Sequence, residues 1–142
     1  MLVFEEIGII RVYYEKDNGL FVHEWLNYNP DGRDSDIRAV LERLYELLVD
    51  YPVEKVLVKT DQTTGAFSPD IQVYIREVQL PRLLANTQLK YIATVKSDNI
   101  IARICTDVWE EQFKAGSPLI LHDVNNEAEA REWFSQLDGL QA

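Results

Sequence analysis

Hydroxyl and carboxyl side chains are concentrated in residues 61–68, directly after an apolar run at 55–60. Ser68 and Pro69 follow, and they mark the start of a helix because serine is a preferred N-cap and proline suits the first helical turn. A phosphate added near a helix N-terminus would lie close to free backbone N–H groups and in a favourable dipole field. The pattern therefore predicts a candidate functional loop, at the place where α/β proteins usually carry their chemistry. Its members are Asp61, Thr63, Thr64, Gly65 and Ser68. The alternative is that these hydroxyls only satisfy backbone groups of a loop and a cap.

A second candidate site involves the two histidines of the chain. His122 and Asp123 end the last apolar run, and Asp61 ends an earlier one, so all three are expected at the carboxyl edge of a sheet, where open α/β sheets bind ligands. Convergence there would suit acid–base or hydrolase-type chemistry, whereas the alternative is a histidine that bonds locally. A metal site would need a third ligand besides His23 and His122, so none is predicted.

Aromatic side chains suggest a third possibility. Trp25 and Tyr28 precede a polar Pro-Gly loop and could line a small apolar pocket, together with His122 and Asp123, or form a dimer contact. The alternative is that Trp25 packs in the core, since alternation along a strand turns one of Glu24 and Trp25 inward. An apolar pocket of roughly a few hundred Å³ would favour a ligand-binding domain, and a flat exposed patch would favour a partner-binding module.

Composition narrows the class of protein. The 142 residues are 46% hydrophobic and 27% charged, which predicts a single domain over 1–142. The net charge of −10 disfavours nucleic acid as a partner, because phosphate backbones require a basic surface. The single cysteine, Cys105, excludes an internal disulfide and is expected in the core. Because the chain opens without a signal-peptide pattern and contains no apolar run of ~20 residues, we expect a cytoplasmic protein that does not insert into membranes.

Hydrophobic periodicity predicts the elements that position these residues. A short strand at 2–5 and a hairpin at 9–14 and 20–26 should precede a helix at 36–50 capped by Asp34 or Ser35. Strands at 55–60, 89–95 and 118–124 alternate with three further helices. This order predicts an α/β fold, with an N-terminal hairpin, a mixed and mostly parallel sheet, and four main helices.

Two buried helix faces and two helix ends can also be predicted. Pro81 should kink or break the second helix, because proline lacks an N–H and crowds the preceding turn. If the chain is instead a small-molecule-binding domain, its pocket for an apolar or lipid-like ligand would lie under this helix, where Pro81 disrupts packing. Gly116 should end the third helix. The expected buried faces are Ile71, Tyr74, Ile75 and Val78 on the second helix, and Ile101, Ile104, Cys105, Val108 and Phe113 on the third.

Several features together resemble a known family. These are the order of elements, His23-Glu24-Trp25 in the hairpin, the loop from Asp61 to Gly65, the strand at 90–95 and a last helix with Ala130-Arg131-Glu132-Trp133-Phe134. The chain resembles a STAS-like domain, and within that family the SpoIIAA-like branch.

The resemblance implies a non-enzymatic regulatory module that recognises a protein partner, without a cofactor, through the face at 61–70. Some members respond to nucleotides or lipids. In anti-sigma factor antagonists, a serine before a glycine at the start of the second helix accepts phosphate from a partner kinase, and Thr64 beside Gly65 matches that position. This sequence has threonine in place of serine, and Ala66 and Phe67 lengthen the loop before the cap. An isologous homodimer is also expected on general grounds.

Overall fold

Six strands in the described part of the chain form one sheet, in the same order as in the sequence. The computed structural model describes residues 1–29, 32–115 and 117–141, without the side chains of 139–141. The strands are β1 (Leu2–Glu6), β2 (Ile10–Glu15), β3 (Leu20–Trp25), β4 (Lys55–Lys59), β5 (Tyr91–Val95) and β6 (Ile120–Val124). The β1–β2 and β2–β3 pairs are antiparallel, and the three later pairs are parallel. The predicted α/β fold with an N-terminal hairpin is confirmed.

Helices cover both faces of this sheet unequally. They are α1 (Asp34–Asp50), α2 (Pro69–Tyr74), a π-helical segment (Ile75–Gln79) that runs directly into α3 (Leu80–Asn86), α4 (Ile100–Lys114) and α5 (Glu127–Gln141). One face carries α1 to α4 over strand residues such as Val56 and Val58, whereas α5 packs on the other face, over Leu57. The larger core therefore lies between the sheet and four helical elements.

The helix from 69 to 86 continues through Pro81, so of the two expected outcomes, a kink or a break, the break does not occur. Instead, the backbone N–H of Leu80 donates to the carbonyl of Ile75, five residues earlier. Proline cannot donate to the carbonyl of Glu77, and its ring crowds that carbonyl, so a locally wider turn accommodates it.

The wider turn changes which side chains of this helix are buried. Ile71 and Ile75 are buried as predicted, but Val78 is 41% exposed and Gln79 is 4% exposed. A π turn inserts one extra residue, so the buried face moves forward by one position after Ile75. The polar side chain of Gln79 thereby enters the core.

The buried face of α4 also differs from the expected one. Cys105 and Phe113 are buried, but Ile101 and Ile104 are each 60% exposed, so their predicted burial was wrong. The helix instead turns polar Thr106 inward, because the core offers it a hydrogen-bond partner. Gly116, the predicted end of this helix, lies outside the described residues.

Helix caps follow the sequence in most places. Ser68 accepts a hydrogen bond from a backbone N–H of α2, as expected, and Asn99 caps α4 in the same way. In contrast, α1 has Arg33 at its N-cap position, without a side-chain cap. Asp34 serves a different purpose, because its carboxylate accepts a hydrogen bond from the Ser68 hydroxyl at 2.6 Å.

Candidate functional site

The loop between β4 and α2 is held in place by hydrogen bonds of its own hydroxyl groups. Thr63 is fully buried, and its Oγ1 donates to the carbonyl of Trp25 at 2.7 Å. Ser68 Oγ accepts from the Ile71 N–H at 3.2 Å and donates to Asp34. Two of the candidate acceptor hydroxyls are therefore engaged in holding the loop.

The remaining members of the loop face outward or shape its path. Asp61 and Thr64 are exposed. Gly65 has φ +77°, and a Cβ at this position would lie 2.8 Å from Asn27 Oδ1. Only glycine therefore fits without displacing the neighbouring segment. Thr64 is the accessible hydroxyl of the predicted loop, and its backbone pairs with Leu26 and Tyr28.

An aromatic cluster lies directly beneath this loop. The ring centroids of Tyr28 and Phe67 are 4.4 Å apart, and those of Trp25 and Phe67 are 5.5 Å apart. The Tyr28 hydroxyl is hydrogen-bonded to Thr106 Oγ1 at 2.8 Å, and burial raises its pKa. Both predicted aromatic residues thus belong to the core, in agreement with the packing alternative.

Cys105 lies next to the aromatic cluster. Its Sγ accepts a hydrogen bond from the backbone N–H of Phe67 at 3.2 Å, and burial raises its pKa to about 11. A thiol with such a pKa is almost entirely protonated at neutral pH, so it is a poor nucleophile. Cys105 is a packing residue.

The proposed convergence of His122, Asp123 and Asp61 is not present. The ring of His122 stacks on Trp133 of α5, with centroids 5.0 Å apart. Asp123 lies on the opposite face, with its carboxylate 3.6 Å from Lys96 Nζ. Asp61 follows β4, two strand spacings or about 10 Å away from β6. The reason is the period of two along a strand, which sends adjacent side chains to opposite faces.

For the same reason, Trp25, Tyr28, His122 and Asp123 do not line one pocket. Trp25 and Tyr28 lie on the face covered by α1 to α4, and His122 lies on the α5 face. The structure does contain a cavity, but other residues build most of it.

A cavity of about 80 Å³ lies between the sheet and helices α1 to α4. It is smaller than the pocket of a few hundred Å³ that a ligand-binding domain was expected to show. Its walls are His23, Trp25, Leu41, Leu44, Leu48, Val56, Val58, Phe67, Ile75, Gln79, Leu83, Leu89, Ile92, Trp109 and Phe113. Its position beside the π segment agrees with the expected pocket under the helix that contains Pro81.

His23 is the notable polar residue of these walls. Its side chain is 7% exposed, its ring lies 6.2 Å from that of Phe21 between centroids, and it has no hydrogen bond within the described parts of the chain. Burial lowers its pKa to about 4, so the imidazole is neutral at pH 7. Its ring nitrogens are not among the fully buried atoms that lack a partner, so a water-sized group can still reach them. Such a group facing a cavity is the feature expected of a ligand contact.

Gln79, another polar residue of the walls, is hydrogen-bonded at both ends of its amide. Its Nε2 donates to the carbonyl of Leu41 at 2.9 Å, and its Oε1 accepts from Arg82 at 2.8 Å. Arg82 is also paired with Glu42 at 2.7 Å and lies over the ring of Tyr45. This network joins α1 to the π segment and α3 above the cavity.

A charged cluster lies farther along the same face, between β5, β6 and α4. Lys96 is ion-paired with Asp107, Glu110 and Asp123. Burial raises the pKa of Glu110, Asp123 adds to the rise and Lys96 opposes it. Across the described residues, no group of three or more His, Cys, Asp or Glu side chains is arranged to hold a metal ion. We therefore interpret the cluster as an internal ion-pair network.

Sequence reasoning missed His23 and Gln79 as cavity residues. His23 was considered only as a metal ligand, although its alternation with Phe21 and Trp25 along β3 already placed it on an aromatic, buried face. Gln79 lies four residues after the buried Ile75, at regular helical spacing, but a pattern built from apolar residues alone does not include it.

No protein-family model, curated protein or solved structure matches this chain. The resemblance to STAS-like domains therefore stays a prediction. None of the helices within 1–29, 32–115 and 117–141 combines the length and hydropathy needed to cross a membrane.

Proposed function

We propose that this chain is a small-molecule-binding domain, which holds a compact and mostly apolar ligand in the cavity between the sheet and α1 to α4. The single observation that carries the proposal is His23, a buried imidazole that faces an apolar cavity and lacks a hydrogen-bond partner among the described residues. Buried polar groups are almost always paired, so an unpaired one beside open space indicates a missing partner.

The π segment supports the same site. π turns are rare and occur frequently at functional sites, because they cost regular hydrogen bonding. Here the π segment contributes Ile75 and Gln79 to the cavity walls. It also places the cavity beside the least regular helix of the fold, where the walls can move most easily to admit a ligand.

The test uses toluene as a probe and two leucines of α1. Leu44 lines the cavity, whereas Leu47 is equally buried but does not. We expect wild type to bind toluene, and Leu44→Phe to fill the cavity and weaken that binding at least tenfold without loss of stability. Leu47→Phe overpacks a filled region, so it should cost about 1–3 kcal/mol of stability and leave toluene binding intact.

Binding is measured by NMR chemical-shift titration of the full chain, and stability by urea unfolding. If wild type shows no saturable shift of the cavity residues with toluene, the proposal is wrong. It is equally wrong if the two variants weaken toluene binding alike, since binding would then not involve this cavity.

A second candidate function is recognition of a protein partner through residues 61–70, as the STAS-like resemblance implies. The observation that favours it is the exposed pair Asp61 and Thr64 on a loop whose other hydroxyls hold it in place. A pre-organised loop loses little conformational entropy on binding. In this view Thr64 is the phospho-acceptor, and the protein is a cytoplasmic module without catalytic activity.

A further inference from the structure

The walls of the cavity restrict the charge of its ligand. Of the described residues that line it, none is Lys, Arg, Asp or Glu. Burial of a carboxylate or an ammonium group without an opposite charge is strongly unfavourable. His23 does not supply that charge, because its lowered pKa of about 4 keeps the imidazole neutral at pH 7. A fatty acid or an amine is therefore a poor fit.

Three polar groups of the walls can still bond a ligand. They are the second N–H of the Gln79 amide, whose first N–H and oxygen are bonded to Leu41 and Arg82, the indole N–H of Trp25 and the His23 imidazole. The imidazole alone among them offers a nitrogen acceptor, so we assign the ligand contact to His23. A neutral imidazole carries one N–H donor and one acceptor nitrogen. A hydroxyl group can match either nitrogen, since it both donates and accepts. The surrounding wall contains Trp25, Phe67 and other apolar side chains, which suit an apolar body.

Volume limits the size of that body. The cavity measures about 80 Å³. An engineered apolar cavity of ~150 Å³ in another protein holds benzene, so one ring would require a modest outward movement of these walls. We expect the movement at the π segment, where hydrogen bonding is least regular. Two fused rings or a long acyl chain would require the core to be rebuilt.

We infer that the ligand is an uncharged molecule of at most about one ring, with a single hydroxyl group that is hydrogen-bonded to His23. This inference rests on the proposed function and adds the chemical class of the ligand. It narrows the apolar or lipid-like ligand expected from the sequence to a small alcohol or phenol.

The experiment compares three probes of similar shape on the full chain at pH 7: toluene, phenol and benzoate. Phenol replaces the toluene methyl group by a hydroxyl, and benzoate carries a full negative charge. In wild type we expect phenol to bind about five- to tenfold more tightly than toluene, which corresponds to one net hydrogen bond. We expect no saturable binding of benzoate.

His23→Leu tests the hydrogen bond directly. Leucine is apolar and removes the unpaired imidazole, so we expect it to fold and to bind toluene within about threefold of wild type. Phenol should lose its advantage, so that the ratio of toluene to phenol dissociation constants falls about five- to tenfold. A ratio that is unchanged by His23→Leu would overturn the assigned contact.

A measurement on wild type keeps the inference testable if His23→Leu fails to fold. The ring ¹⁵N resonances of His23 should shift on addition of phenol and remain almost unchanged with toluene, because only phenol bonds the imidazole.

The remaining outcomes distinguish an error in the ligand class from an error in the cavity proposal. Binding of toluene with no preference for phenol, or binding of benzoate as tight as that of phenol, would overturn the ligand class and leave the cavity proposal standing. Absence of binding for all three probes would overturn both proposals.

Discussion

At the scale of single residues, His23 links stability to pH. Burial lowers its pKa from 6.5 to about 4. Between these values the unfolded chain binds a proton that the folded chain excludes, so stability must fall as the pH decreases through this window. The lost free energy of unfolding at pH 4.5 is about 2–3 kcal/mol relative to pH 7.

The measurement is urea unfolding of wild type and His23→Leu at pH 7 and pH 4.5. Carboxyl groups contribute to the loss in both proteins, so the informative quantity is the difference between them. We expect wild type to lose about 2–3 kcal/mol more than the variant. Equal losses would show that the imidazole is hydrated or charged in the folded protein.

At the scale of elements, Gly65 allows the loop between β4 and α2 to lie close to the segment that contains Asn27. Gly65 and Gly19 both have positive φ, +77° and +61°, but only at Gly65 would a Cβ collide with a neighbour, Asn27 Oδ1 at 2.8 Å. Gly19→Ala should therefore cost about 1 kcal/mol for the left-handed backbone alone. Gly65→Ala should cost about 3 kcal/mol, because Asn27 or the loop must also move.

Urea unfolding of the two variants measures this difference, with Gly19→Ala as the matched control. Gly65→Ala should also weaken toluene binding, since the loop carries Phe67 into the cavity wall. Similar costs for both substitutions would indicate that Asn27 does not constrain the loop.

The same scale explains what the sequence could predict. Strand and helix order follows from hydrophobic periodicity, and the cap at Ser68 follows from side-chain chemistry, so these expectations are confirmed. The π turn before Pro81 turns Gln79 inward rather than Val78, although both lie at helical spacing from Ile75. Gln79 was missed because the expected face was built from apolar residues alone.

A tertiary partner accounts for one of the remaining differences. Thr106 is buried in α4 because the Tyr28 hydroxyl, 78 residues earlier, is there to pair with it. The other buried residues of α4 keep helical spacing through Ala102, Cys105, Trp109 and Phe113, so the expected face with Ile101 and Ile104 was set one residue too early. The separation of His122 and Asp123, in contrast, could be predicted from the sequence. Adjacent side chains alternate along a strand, so these two residues of β6 face opposite sides of the sheet.

At the scale of the whole molecule, the sheet separates two cores that should respond differently to a ligand. The cavity lies on the face covered by α1 to α4, and α5 packs on the other face through a smaller cluster that includes Ala130 and Phe134. A ligand that binds the folded state slows the local openings that would release it, so protection should rise in elements that form its walls.

Hydrogen exchange with and without saturating phenol tests this separation, and α5 is the internal control. We expect slower exchange in α1, the π segment and α3, because each supplies wall residues such as Leu44, Gln79 and Leu83. Amides of α5 should exchange through openings that leave the cavity closed, so their rates should change less than about twofold. Equal protection of α5 would mean that the sheet and both cores open together, and that the ligand stabilises the fold as one cooperative unit. Protection confined to α5 would place the binding site on the opposite face, beside His122 and Trp133, and contradict the cavity assignment.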